Sequence, residues 1–255
     1  MNAPVIAGGA AVVLVGLGAW WYLSRDVAPP EPEAELVAET VAEAPGIRNP
    51  VASTGDDQPL PVLSESDQPL FDSLAALAGQ QSIQQFLIPK DLIRHIVVTI
   101  DNLPRKKLAV QLRPVAPTAG EITTTATGEN FTLSPANAAR YAPFVKVLQA
   151  TDAQAVAGIY LRFYPLFQEA YEALGYPSMY FNDRLVEVID HLLAAPDLSG
   201  PIELARPSVM YVYTDPALEA LSSGQKTLLR MGSENATVVK TKLKELRSAV
   251  ATKTP

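Results

Sequence analysis

The sequence contains no cysteine, which removes disulfides, thiol nucleophiles and cysteine-based metal sites together. An oxidising compartment suits such a chain but is not required by it. Histidine is nearly as scarce: His95 and His191 stand 96 positions apart with no His-x-x-x-His pair, a poor basis for a metal centre. No Gly-x-Ser-x-Gly occurs, so a serine hydrolase is unsupported. "SSGQKT" resembles the end of a phosphate-binding loop, but Glu219 stands where the first glycine belongs and no strand leads into it. Ser223 and Lys226 match Ser-x-x-Lys without the Ser-Asp-Asn or Lys-Thr-Gly that would accompany it. No catalytic residue, metal site or cofactor is assigned, and no nucleic-acid partner is expected.

Charge is unevenly spread. The chain carries a formal charge of -7, yet residues 24 to 70 hold ten acidic side chains against Arg25 and Arg48, a net of -8. The remainder, 71 to 255, has 18 basic and 17 acidic groups, a net of +1. The acidity therefore belongs to one segment and does not describe a domain surface.

That segment follows an apolar run. Residues Ala3 to Leu23 contain 21 positions without a charge, and a helix of that length reaches roughly 31 Å, enough to cross a bilayer. A cleaved signal peptide is the rival reading, but no Lys or Arg precedes the run and "WYLSRDVAP" offers no small-x-small site. The expectation is a single-pass anchor over 1–23, with Trp20, Trp21 and Tyr22 at headgroup level. The domain is placed outside the cytoplasm, although Arg25 by the positive-inside rule leans the other way. From 24 to 66 the chain is rich in proline, alanine and acid. It cannot bury enough apolar area to offset its entropy, and is expected to be a disordered stalk, with a short helix over "AELVAETVAEA" as the alternative.

From 67 to 252 the spacing predicts one compact, mostly helical domain with a minor β component, an α+β fold. Leu70, Phe71, Leu74 and Leu77 mark a first helix. Leu92, Ile93, Ile96, Val97 and Ile100 mark a second, opened by Pro89 and ended by Pro104, with His95 at the margin of its apolar face. "GEITTTATGENFTLS" reads as a hairpin turning at Gly128. Ser134-Pro135 starts a helix through Tyr141, Phe144 and Leu148. Thr151-Asp152 opens the longest helix, which ends at Gly175 and should kink at Pro165. A further helix spans about 182 to 194, "GPIELARPSVMYVYTDP" suggests two short strands, and the last helix begins near Ser233 with Val239, Leu243, Leu246 and Val250 in line.

Outside the apolar run there are 15 aromatic residues, and eight of them lie between Tyr160 and Phe181. Tyr160, Phe163, Phe167 and Tyr171 recur at helical spacing and read as a buried stripe. Tyr164, Tyr176 and Tyr180 fall off it and are expected to be available to a partner. On the next helix Arg184, Glu187 and His191 line one flank, with Asp190 nearby. Two readings stand: a carboxylate orienting an imidazole for proton transfer or binding, or a surface ladder of ion pairs. Asn182 is expected as the N-cap and Asp183 in the first turn. Near the C-terminus Lys240, Lys244 and Arg247 flank the apolar stripe, either as a solvated face or as a basic surface for an anionic partner.

The blocks "DLIRHIVVTIDNLPR", "SPANAARYAPFV", "YPLFQEAYEALGYPSMYFNDRLVEVIDHLL" and "LEALSSGQKTLLRMGSENATVVKTKLKELR" together resemble an uncharacterised bacterial family, domain of unknown function 3014, over about residues 60 to 250. The resemblance implies a Gram-negative source and an N-terminally anchored envelope protein, and brings no activity. The expected protein sits in the inner membrane with its domain in the periplasm. It would act as a non-catalytic binding or scaffolding module through Tyr164, Tyr176, Tyr180, Asn182, Arg184, Glu187, Asp190 and His191, toward an envelope protein or peptidoglycan. The alternatives are an acid-base hydrolase or a glycan binder acting on an envelope polymer.

Overall fold

A computed structural model describes residues 46–51, 59–128 and 130–251. The expected anchor over 1–23 and most of the expected stalk lie outside them. Among the described residues no helix is long and apolar enough to cross a membrane.

The apolar spacing translates directly into helices: α1 (Asp67–Ala78), α2 (Gln80–Phe86) and α3 (Leu92–Asn102). Asp67 accepts hydrogen bonds from the backbone N–H groups of Asp91 and Leu92 at 2.8 and 2.7 Å, so the first helix supplies the missing cap of the third. Ser134 caps a 3-10 turn over Pro135–Arg140, and α4 (Ala142–Ala150) follows. Asp152 caps α5 (Ala153–Ala173), accepting from the N–H groups of Gln154 and Ala155. Pro165, where a kink is expected, lies inside this helix, whose run extends unbroken from Ala153 to Ala173. Then come α6 (Phe181–Leu193), α7 (Pro216–Ala220), α8 (Ser223–Arg230) and α9 (Ser233–Val250).

The core forms where α3 and α6 cross α5, with α1 on the far side. Leu92, Ile93, Val97, Phe163, Phe167, Tyr171 and Phe181 are buried there. α9 lies along α4, α5, α6 and α8 and closes the bundle through Leu243 and Val250. To one side, β1 (Thr124–Thr127), β2 (Asn130–Leu133), β3 (Glu203–Ala205) and β4 (Val212–Tyr213) form one antiparallel sheet in the order 1-2-3-4. Both pairs of strands foreseen in the sequence exist, joined through β2 and β3, with Phe131 opposite Leu204 and Leu204 opposite Tyr213. A separate apolar cluster of Leu204, Tyr213 and Leu229 seats this sheet on α8.

The packed domain also starts earlier than Asp67. Leu63 and Ser66 are buried, and Val51 and Leu60 pack against the main core. Residues 46–51 and 59–66, expected as the end of a stalk, are thus part of the fold.

Candidate functional site

The aromatic stripe is core. Phe167 and Phe181 stack at 5.9 Å between ring centres, and Tyr171 lies 5.3 Å from Phe181 and 4.7 Å from Tyr176. Tyr164, expected to be available, is buried instead: its hydroxyl donates to Gln168 at 3.0 Å and its ring sits 5.4 Å from Tyr180. The reason is that α5 is packed by four helices, α1, α3, α6 and α9, so the buried arc is wider than one stripe. Burial pushes the Tyr171 phenol up to about 12 and those of Tyr160 and Tyr164 higher still, which leaves none of the three suited to proton transfer at neutral pH.

Asn182 was expected to be a helix cap, but the cap position belongs to Tyr180, which makes no side-chain cap bond. Asn182 is fully buried two residues further on, in the first turn of the helix. Its amide nitrogen donates to the carbonyls of Asn49 and Val250, both at 2.9 Å, and its oxygen accepts from Tyr160 at 3.0 Å. Beside it, Asp183 accepts from the backbone N–H groups of Arg48 and Asn49 and from the Asn49 side chain. Tyr180 accepts from the N–H of Val51 at 2.8 Å. This corner therefore holds residues 48–51 as a strap across the start of α6.

The charged flank of α6 resolves into separate pairs. Arg184 donates to the buried Asp101 at 3.0 Å and to Glu187 at 2.9 Å. Asp101 also takes Arg105, whose guanidinium its charge holds above the ordinary range, and Tyr176 lies against both. Asp190 forms a two-point pair with Arg247, whose pKa it raises. The carboxylate-to-imidazole contact offered by the spacing is absent, because Glu187 turns to Arg184. His191 meets Ser222 instead, with Nε2 2.9 Å from Oγ. That serine is buried and caps α8 by accepting from the Gln225 N–H, which makes it a structural hydroxyl. In "SSGQKT", Gly224 packs so closely on α6 that a Cβ would lie 2.5 Å from Leu192, and the motif is a helix start with tight packing.

Nor do the basic residues of α9 share a surface. Lys240 is only 8% exposed and donates to the Ala195 carbonyl and to Asp197, both at 2.6 Å. Arg247 is taken by Asp190, and Lys244 alone stands in solvent. A helix turning a buried lysine toward the carbonyl end of α6 was not visible from charge counting.

What sequence reasoning missed is a cleft of about 570 Å³ between β2, the 196–202 connection, α8 and the start of α9. Leu133, Leu198, Ile202, Leu229 and Met231 give it apolar walls. Ser199 and Gly200 line one side, and the first turn of α9, which no side chain caps, lines the other. The only sequence signal was punctuation, "PDLSGP" and Gly232. It marks two loops but not that they face each other.

A family model described as "Protein of unknown function (DUF3014)" matches residues 92–247, a span that includes the sheet, the cleft and the α6 flank. No curated protein and no solved structure matches the chain.

Proposed function

The chain belongs to the DUF3014 family, and from that premise we propose that it is a non-catalytic binding module of the cell envelope, anchored by residues 3–23 and receiving a peptide-like segment of an envelope protein in the cleft beside α9. The observation that carries this reading is the cleft itself. Its volume falls in the range of ligand sites, and apolar residues line it together with the polar or charged Asp197, Ser199, Arg230, Glu234 and Asn235. An extended peptide offers both apolar side chains and hydrogen-bonding backbone groups to such a lining. The α6 flank argues against acid-base chemistry, since Glu187, Asp190 and His191 have three different partners. The lateral sheet and the long α9 frame the cleft on secondary structure, which suits recognition with little rearrangement.

Filling the cleft tests this. Nothing lies within 4 Å of a Cβ placed on Gly200, so Gly200→Trp puts a large ring at the opening without disturbing the fold. In crosslinking pull-downs from membranes holding the full chain, partner recovery should fall about tenfold or more, equivalent to ~1.4 kcal/mol. Glu187→Ala on the α6 flank should leave it unchanged. Undiminished recovery with Gly200→Trp would remove the cleft from the reading, and loss with Glu187→Ala alone would return the contact to α6.

A further inference from the structure

Positive charge that the overall count hides is concentrated on one surface of the domain. Residues 79–120 contain six Lys and Arg against Asp91 and Asp101, a net of +4 in a chain of net -7. Asp101 is buried and spent on Arg184 and Arg105. Lys90, Arg94, Lys106 and Lys107 are exposed, Arg113 is half-buried, and none of these five side chains takes part in the ion pairs found among the described residues. The fold gathers them. The 3-10 turn Val110–Leu112 packs on α3, which carries Arg94. An antiparallel bridge joins Leu87 to Val115, with Ile88 donating to the Pro114 carbonyl, and this pairs the segment that leads to Lys90 with the one that follows Arg113.

In the same segments stand partly exposed apolar side chains: Val110 is 56% exposed, Leu112 42% and Val115 37%. Lysines alone would suit any polyanion, and exposed aliphatics alone any apolar partner. Cations flanking exposed aliphatics on one surface match a bilayer interface, where phosphates lie above acyl chains. We propose that residues 105–115, with Lys90 and Arg94, dock onto a bilayer of anionic glycerophospholipid, the cations on phosphate and Val110 and Leu112 in the headgroup boundary.

A run of contacts links the strap to this surface. Residues 48–51 are bound by Tyr180 and Asp183. The next residue, Arg184, binds Asp101, and Asp101 binds Arg105, which directly precedes Lys106 and Lys107. The inference rests on the proposed anchor only for keeping the domain near lipid.

The lack of cysteine allows a test in the full chain. Val110→Cys carries one environment-sensitive dye, and Val209→Cys, at an apolar site 80% exposed on the β3–β4 connection, carries it as control. Each chain is reconstituted into discs of phosphatidylcholine alone or mixed with phosphatidylglycerol. The expected result is a blue shift at position 110 in the phosphatidylglycerol discs only, lost in Lys106→Glu/Lys107→Glu and at ~1 M salt, where screening shortens to about 3 Å, with position 209 unmoved. An aqueous dye at 110 in both discs, an equal shift in both, or a shift given only by soluble polyphosphate would overturn the docking. If the chain does not stay with phosphatidylcholine discs, the anchor has failed instead. Phosphatidylglycerol vesicles added to the soluble chain then decide the docking by the same shift.

Discussion

Asn182 joins three stretches that are far apart in the chain, and its consequences can be stated atom by atom. Replacing it with alanine leaves the Tyr160 hydroxyl and the carbonyls of Asn49 and Val250 short of a partner, the last in a buried bond. An unsatisfied buried polar group costs about 1–3 kcal/mol, so Asn182→Ala should lower the urea midpoint clearly. Hydrogen exchange at residues 48–51 should quicken well before exchange in α5 does, because the strap loses the Asn49 contact while the aromatic core remains. Equal exchange in the two proteins would show that Asp183 and Tyr180 hold the strap without it. In the sequence, Asn182 reads as a cap, since Asn before an apolar run is the usual sign of a helix start. Its actual partners lie 133 and 68 positions away, and no local pattern encodes them. Tyr164 was misplaced for a related reason. Periodicity shows that a helix has a buried face but not how many neighbours cover it.

Elements were far more legible than contacts. The Asp152 cap, the Gly128 hairpin turn and the Asp215-Pro216 helix start are all local signals, and the structure has each of them. The joining of the two strand pairs into one sheet is not local, and was not foreseen. The Asp152 cap also carries a pH signature. The N–H groups of Ala155 and then Gln154 donate to its carboxylate and hold its pKa below the ordinary 3.8. Because the folded value is the lower one, the cap stabilises α5 fully above the ordinary carboxylate range, and this is lost as pH falls through the folded value. Asp152→Ala should therefore lower the urea midpoint at neutral pH, and the difference from the native chain should shrink as pH falls below the ordinary carboxylate range. A midpoint difference that stays constant with pH would assign the effect to helix propensity and not to the charge on the cap.

For the whole molecule, the boundary between linker and domain is the feature composition conceals most thoroughly. Proline recurs throughout residues 26–70, and although 44–55 carry no acid, nothing in the apolar spacing marks residues 46–51 as packed against the domain. The attachment there is made largely by backbone groups: N–H of Arg48 and Asn49 to Asp183, and N–H of Val51 to Tyr180. Backbone groups are present at every residue, so they leave no trace in the sequence. A chain starting at residue 67 would keep α1 to α9 yet strip three donors from Asp183, which is largely buried, and remove the buried Leu63. Losing one buried leucine costs about 1.5–3 kcal/mol, and a carboxylate deprived of its donors adds to that. A chain starting at residue 46 should thus unfold at clearly higher urea than one starting at 67, with a steeper dependence, because more surface is exposed on unfolding. Coincident unfolding curves would show that the strap is attached without contributing to the fold. A higher midpoint at unchanged slope would instead locate its contribution in relieving the unpaired carboxylate of Asp183, with little added burial.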